Sequence, residues 1–154
     1  MDDYTALVKK ILDTIFQASQ ITNYNIDIQE AIDDHKISIN VDLNPASIFI
    51  GKGGDVLDAF EVLISAILQR ATNTHWFVEF DINNYRIEKN YILKEIAKKA
   101  AHRVLVLKTP VRLEPMSSRE RRIIHSEIAL YPDLISESEG SEPRRYVVIK
   151  YREG

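Results

Sequence analysis

The chain has 154 residues, enough for one ordinary domain or two small ones. Its 45% hydrophobic and 28% charged content is that of a globular protein, not a disordered one. The absence of cysteine excludes disulfides, thiolate nucleophiles, iron–sulfur clusters and cysteine-ligated zinc. The acidic start Met1-Asp2-Asp3 does not read as a secretory signal. The longest apolar run, Val62 to Leu68, is far short of the roughly 20 residues that span a bilayer. No membrane insertion and a cytoplasmic location are therefore expected. A net charge of −3 conceals an asymmetry: residues 1–85 balance at −8, residues 86–125 at +7 and residues 126–154 at −2. A +7 block within forty residues attracts a polyanion whatever the total, unless it is simply a solvated helix face.

Residues 5–19 carry Leu7, Val8, Ile11, Leu12, Ile15 and Phe16 at helical spacing, with Asp2 and Asp3 suited to the positive end of the dipole. Tyr24–Ile28 and Lys36–Leu43 alternate with period two, and the turn chemistry between them, including Asp33-Asp34, predicts a hairpin. Pro45 opens a short helical turn through Ile48. Gly51-Lys52-Gly53-Gly54 follows, and then a helix from Asp55 to Arg70 with Val56, Leu57, Phe60, Leu63, Ile64, Ile67 and Leu68 inward. Thr72-Asn73-Thr74 breaks it, and Trp76–Asp81 reads as a strand whose Trp76 either belongs to the core or stacks on a base. The composition turns basic beyond Asn83-Asn84, which places a boundary between domains at 1–83 and 84–154.

A long helix is predicted from Tyr85 to Leu107, with Ile92, Ile96, Ala97, Ala100 and Val104 inward and Lys94, Lys98, Lys99 and Arg103 outward. Thr109-Pro110 stops it. Val111–Leu113 is a short strand, and Ser117 or Ser118 caps a helix from Arg119 to Leu130. A strand over 133–136, a polar loop over 137–143 and an apolar strand over 145–151 form a closing hairpin.

Catalytic and metal-binding patterns are sparse. His35, His75, His102 and His125 show no HxxxH or HExxH spacing, there is no GxSxG, and the glycine run is no Walker A loop. No enzyme activity, cofactor or metal is expected. The glycine run does offer a bare main chain at a helix N-terminus, where unpaired N–H groups favour anions and Lys52 adds a mobile charge. Its alternative is a plain helix–helix turn, and Asp55 and Asp58 compete for the same dipole. Arg121 and His125 lie one turn apart on a helix face. They suit a phosphate held by a guanidinium fork with an imidazole beside it. Arg122 projects roughly 100° away. The alternative is that Arg121 and His125 brace the neighbouring sheet, bonded to carbonyls or Glu side chains. Arg145 likewise could reach a ligand or pair with Glu139 or Glu142.

The run Ile48-Phe49-Ile50-Gly51-Lys52-Gly53-Gly54-Asp55-Val56-Leu57-Asp58-Ala59-Phe60 resembles the KH loop of the bacterial Jag family, also called KhpB or EloR. The Arg-x-x-x-His of Arg121 and His125, inside Pro115-Met116 and Glu120-Arg121-Arg122, resembles the family's R-3-H domain. So do Ser138–Gly140 and Glu142–Ile149, and the likeness spans residues 5–151. It implies an α+β fold: a type II KH domain, α-β-β-α-α-β, followed by an R-3-H domain of helices on a three-stranded sheet. It further implies a binder of single-stranded RNA that uses Gly51, Lys52, Gly53, Gly54, Arg121, Arg122, His125 and Arg145. A small single-KH protein partner and links to post-transcriptional control, cell elongation and cell-wall synthesis are also implied. The sequence begins at the KH helix, without the Jag-N domain that often precedes it. Two other readings remain: a protein-interaction module docking through Ile48-Phe49-Ile50, and a binder of single-stranded DNA.

Overall fold

The computed structural model describes residues 4–32 and 34–152, so Asp2, Asp3 and Asp33 lie outside the described residues. The chain divides between Arg86 and Ile87 into two compact units. In the first, α1 (Tyr4–Ala18) leads into β1 (Tyr24–Ala31) and β2 (Lys36–Leu43). The short α2 (Ser47–Ile50) and a 3-10 turn (Lys52–Gly54) then lead into α3 (Asp55–Thr72) and β3 (Phe77–Ile82). This is the α-β-β-α-α-β order. β2 is central, antiparallel to β1 and parallel to β3.

Period-two patterning explains the sheet. Ile37, Ile39, Val41 and Leu43 of β2 all point inward, beside Val78, Phe80 and Ile82 of β3. Val8, Leu12 and Phe16 of α1 and Leu57, Phe60, Ile64 and Leu68 of α3 complete the core. Val56, Leu63 and Ile67, expected inside, do not join these fully buried residues, and Leu63 is exposed. A helix shows only one stripe to a flat sheet, and 57, 60, 64 and 68 are that stripe. β1 is longer than its alternation indicates, running to Ala31.

In the second unit α4 (Tyr85–Leu107), whose first turn contains the division, is followed by β4 (Val111–Arg112), α5 (Ser118–Ile128), β5 (Leu134–Glu139) and β6 (Tyr146–Tyr151). β6 is central between β4 and β5, and both pairings are antiparallel. α4 buries Leu93, Ala97, Ala100, Ala101 and Val104, while Ile92 and Ile96, expected inside, are exposed. Three alanines allow close approach on the 93-97-100-104 face, and the isoleucines sit one position to its side. β5 extends through Glu139, past the expected loop start at 137. Lys150 bridges Glu137 and Glu139 and so accommodates acidic residues on this edge strand. A capping box starts α5: Ser117 Oγ accepts from the Glu120 N–H (3.3 Å), and the Ser117 N–H donates to Glu120 Oε2 (2.7 Å). Lys89 of α4 reaches Glu120 Oε1 at 3.2 Å, tying the two helices.

Candidate nucleic-acid interface

The first part of the site is main chain. Gly51 has φ +77°, Gly53 +63° and Gly54 +86°, so the turn into α3 is left-handed at three of four residues. A Cβ at Gly51 would lie 2.5 Å from Val56 Cγ2 and 2.9 Å from the Val56 nitrogen, which cannot swing away. Neither the 3-10 turn nor α3 receives a side-chain hydrogen bond at its N-cap. The Gly51 N–H donates to the Ser47 carbonyl (3.0 Å) and the Asp55 N–H to the Lys52 carbonyl, and Gly54 is buried. Lys52 and Gly53 therefore present the exposed main chain, with the helix dipole behind it. Lys52 is exposed at the tip. Asp55 stands over Gly51, but Asp58 is held by Arg86 (2.9 Å), which also reaches Glu61 (3.0 Å) and donates from Nε to the Phe80 carbonyl (3.0 Å). Arg86 thereby offsets acidic charge just behind the loop. No local pattern marks it in the sequence, because its carboxylate partners are remote in the chain, Asp58 by 28 residues.

A cavity of about 360 Å³ opens between α3 and β3, lined by Glu61, Val62, Ser65, Gln69, Trp76 and Phe77 among others. Trp76 is 2% exposed; its indole N–H donates to Thr72 Oγ1, and Tyr4 packs edge-on at 5.1 Å. Phe77, absent from the expected site residues, is the aromatic side chain open to solvent here. Alternation along Trp76-Phe77-Val78 is the signal that points to it. Of the expected docking edge, Phe49 is in the core and Ile50 packs against it, so only Ile48 is fully exposed.

In the second unit Arg121, Arg122, His125 and Arg145 line one open cavity of about 470 Å³, together with Ser118, Ser126, Ala129 and Ser138. They have different duties there. Arg121 is 6% exposed, and its guanidinium donates from Nη1 to the Met116 carbonyl (2.7 Å) and from Nη2 to Glu142 Oε1 (2.7 Å). Its fork is engaged within the protein, as in the bracing alternative: it clamps the approach to α5 against the β5–β6 loop. The reason is geometric, since burial places the fork within reach of a carbonyl and a carboxylate before any solvent ligand.

His125 is held between strands and helix. Its Nδ1 lies 2.6 Å from Ser136 Oγ and its Nε2 2.7 Å from Ser138 Oγ, two residues on one face of β5. Burial, then the positive charges of Arg121 and Arg145, lower its pKa from the ordinary 6.5 and so favour the neutral ring. Arg122 is exposed. Arg145 is fixed at its carbonyl by the Met116 N–H (3.1 Å), yet its buried Nε has no acceptor among the described residues. An orphaned buried N–H of this kind costs about 1–3 kcal/mol. Neither Glu139 nor Glu142 neutralises Arg145, since Glu139 goes to Lys150 and Glu142 to Arg121.

An α-β-β-α-α-β unit with a glycine-rich turn at an uncapped helix, followed by a three-stranded unit with a guanidinium-lined cavity, fits the class of two-domain proteins that join a KH to an R-3-H domain. Residues 92–151 match the R-3-H domain family. The chain is 32% identical to the RNA-binding protein KhpB of Clostridium symbiosum over 148 residues, 95% of this chain and 67% of that protein. It is 32% identical to the RNA-binding protein KhpB of Streptococcus pneumoniae D39 over 94% of this chain and 42% of that protein. With the RNA-binding protein KhpB of Bacillus subtilis 168 it shares 36% over 70% of this chain and 52% of that one. The chain belongs to the KhpB family. It spans two thirds of the first of these relatives and about half or less of the other two.

Proposed function

We propose that this chain binds single-stranded RNA without catalysing a reaction, gripping the sugar–phosphate backbone at two places. The observation that carries this reading is the loop at Gly51–Gly54: three left-handed glycines, no side-chain cap, and an exposed lysine at the head of an 18-residue helix. Glycine removes the Cβ that would hold a phosphodiester off the amides, and the dipole favours its charge. The cavity beside α3, with Phe77 at its mouth, offers an apolar wall on which an unpaired base can rest. The second unit adds positive charge at Arg122 and Arg145. The names of the relatives state RNA binding and so favour RNA over DNA as the strand.

Family membership extends the proposal to a cytoplasmic regulator that acts on transcripts with a small single-KH protein as partner, affecting cell elongation and cell-wall synthesis. The competing reading, a module that only docks proteins, is weakened by the burial of Phe49. Binding of matched unstructured RNA and DNA oligomers across a salt series tests the proposal. We expect RNA to bind more tightly than DNA, with log K falling linearly against log salt. No measurable binding of either oligomer would overturn it, and equal binding of both would replace RNA by single strands in general.

A further inference from the structure

We propose that Arg145, and not the Arg121 of the Arg-x-x-x-His spacing, is the guanidinium of the second unit that holds a backbone phosphate, in the open cavity between α5 and the β5–β6 hairpin. Arg122 stands beside it, and Ser138 supplies a neutral donor. The proposal rests on the RNA-binding reading only for the molecule that carries the phosphate.

Hydrogen bonding separates the two arginines. Two nitrogens of Arg121 are satisfied within the protein at 2.7 Å each, and the residue is 6% exposed. A phosphate drawn to it would have to displace a carbonyl and a carboxylate. Arg145 has the opposite situation. Its main chain is anchored by Met116, its Nε is buried without an acceptor, and its side chain forms no hydrogen bond or ion pair among the described residues. It is a positioned cation with unused donors, facing a cavity that also exposes Arg122.

The local field has the required sign. Three guanidinium groups line the cavity, and the carboxylate that touches one of them, Glu142, is already bonded to Arg121. The His125 pKa is lowered first by burial and then by the positive charges of Arg121 and Arg145, which stand at the same cavity wall. His125 then acts as a positioning residue. A neutral imidazole carries one N–H. With that hydrogen on Nε2 the ring donates to Ser138 and accepts at Nδ1 from Ser136. The Ser138 hydroxyl hydrogen is thereby freed to donate into the cavity. An anion bound there selects this tautomer.

The test measures binding of a short unstructured RNA oligomer to the full chain by fluorescence anisotropy across a potassium chloride series, with melting curves for every variant. Arg145→Gln is expected to weaken binding about tenfold. It should also flatten the slope of log K against log salt by about 0.7, the share of one phosphate on a single strand. Arg145→Lys, which keeps the charge without the fork, should restore the slope. Arg121→Gln should lower the melting temperature and leave the slope as in the wild type. An unchanged slope in Arg145→Gln overturns the assignment while leaving the RNA reading intact. A flattened slope in Arg121→Gln without loss of stability also overturns it. Should the wild type fail to bind RNA, the pocket is still decided by titrating inorganic phosphate into nitrogen-15-labelled protein. Movement of the Arg145 Nε–H signal, with the His125 ring nitrogens shifting toward the Nε2–H tautomer, supports the pocket. A stationary Arg145 signal refutes it.

Discussion

At residues 51–54 the candidate chemistry lies in the main chain, and the fold leaves part of it open: the helix ends there are uncapped by side chains, and Lys52 and Gly53 are exposed. At residues 121–125 the candidate chemistry lies in side chains, and the fold uses it. Arg121 is bonded to Met116 and Glu142, and His125 to Ser136 and Ser138. A backbone site depends on torsion angles that glycine alone supplies readily, so it can be read locally. A side-chain site depends on which distant groups arrive first. The guanidinium left over in the second unit is therefore not the one that the spacing marks.

Four perturbations sharpen this contrast. Gly51→Ala should have the largest effect, because it adds strain at φ +77° to the overlap with the Val56 main chain. A loss of about 3 kcal/mol is expected, read as a lowered melting temperature of the first unit. Retention of full stability would mean that the loop geometry is not glycine-dependent. Arg121→Gln should cost about 2 kcal/mol in chemical denaturation of the second unit, the scale of lost charge-assisted bonds at a buried position. A neutral outcome would return Arg121 to the set of ligand contacts. Ser117→Ala should cost about 1 kcal/mol by removing one arm of the capping box that orients α5.

The pH response is the smallest. His125 has a folded pKa below its unfolded 6.5, so the unfolded chain takes up the proton first as pH falls. Its contribution to the stability of the second unit is complete above pH 6.5 and is lost progressively as pH drops from there through the folded value. The groups facing the ring are Arg121, Arg145, Ser136 and Ser138. Denaturation of the second unit at several pH values should show this decline in the wild type and a shallower one in His125→Asn. Identical profiles would indicate that the ring is not held neutral.

The sequence carries the element order because period and punctuation are local properties. Tyr85–Leu107, a serine cap at 117 or 118 and the alternation of Lys36–Leu43 need no distant information. Ala97, Ala100 and Val104 of α4 are inward as expected, while Leu93 and Ala101 take the places expected of Ile92 and Ile96, since neighbouring apolar residues are told apart only by packing. The cluster at Arg121, Arg122, His125 and Arg145 does share one cavity. Their division of labour is not legible in the sequence, because Glu142 and Ser138 come from the far hairpin. Arg86 is hidden for the same reason, its partners Asp58 and Glu61 being brought to it by the first unit's fold.

The central claim is that the main chain of the Gly51–Gly54 turn, exposed at Lys52 and Gly53, seats the strand. It is tested most directly by anisotropy of a labelled unstructured RNA oligomer with the wild type and with the paired substitution Lys52→Asp/Gly53→Asp. Aspartate tolerates the left-handed angle at 53, so folding should be preserved. The account predicts a loss of affinity on the order of 100-fold with the melting temperature unchanged. Affinity within about twofold of the wild type would contradict it.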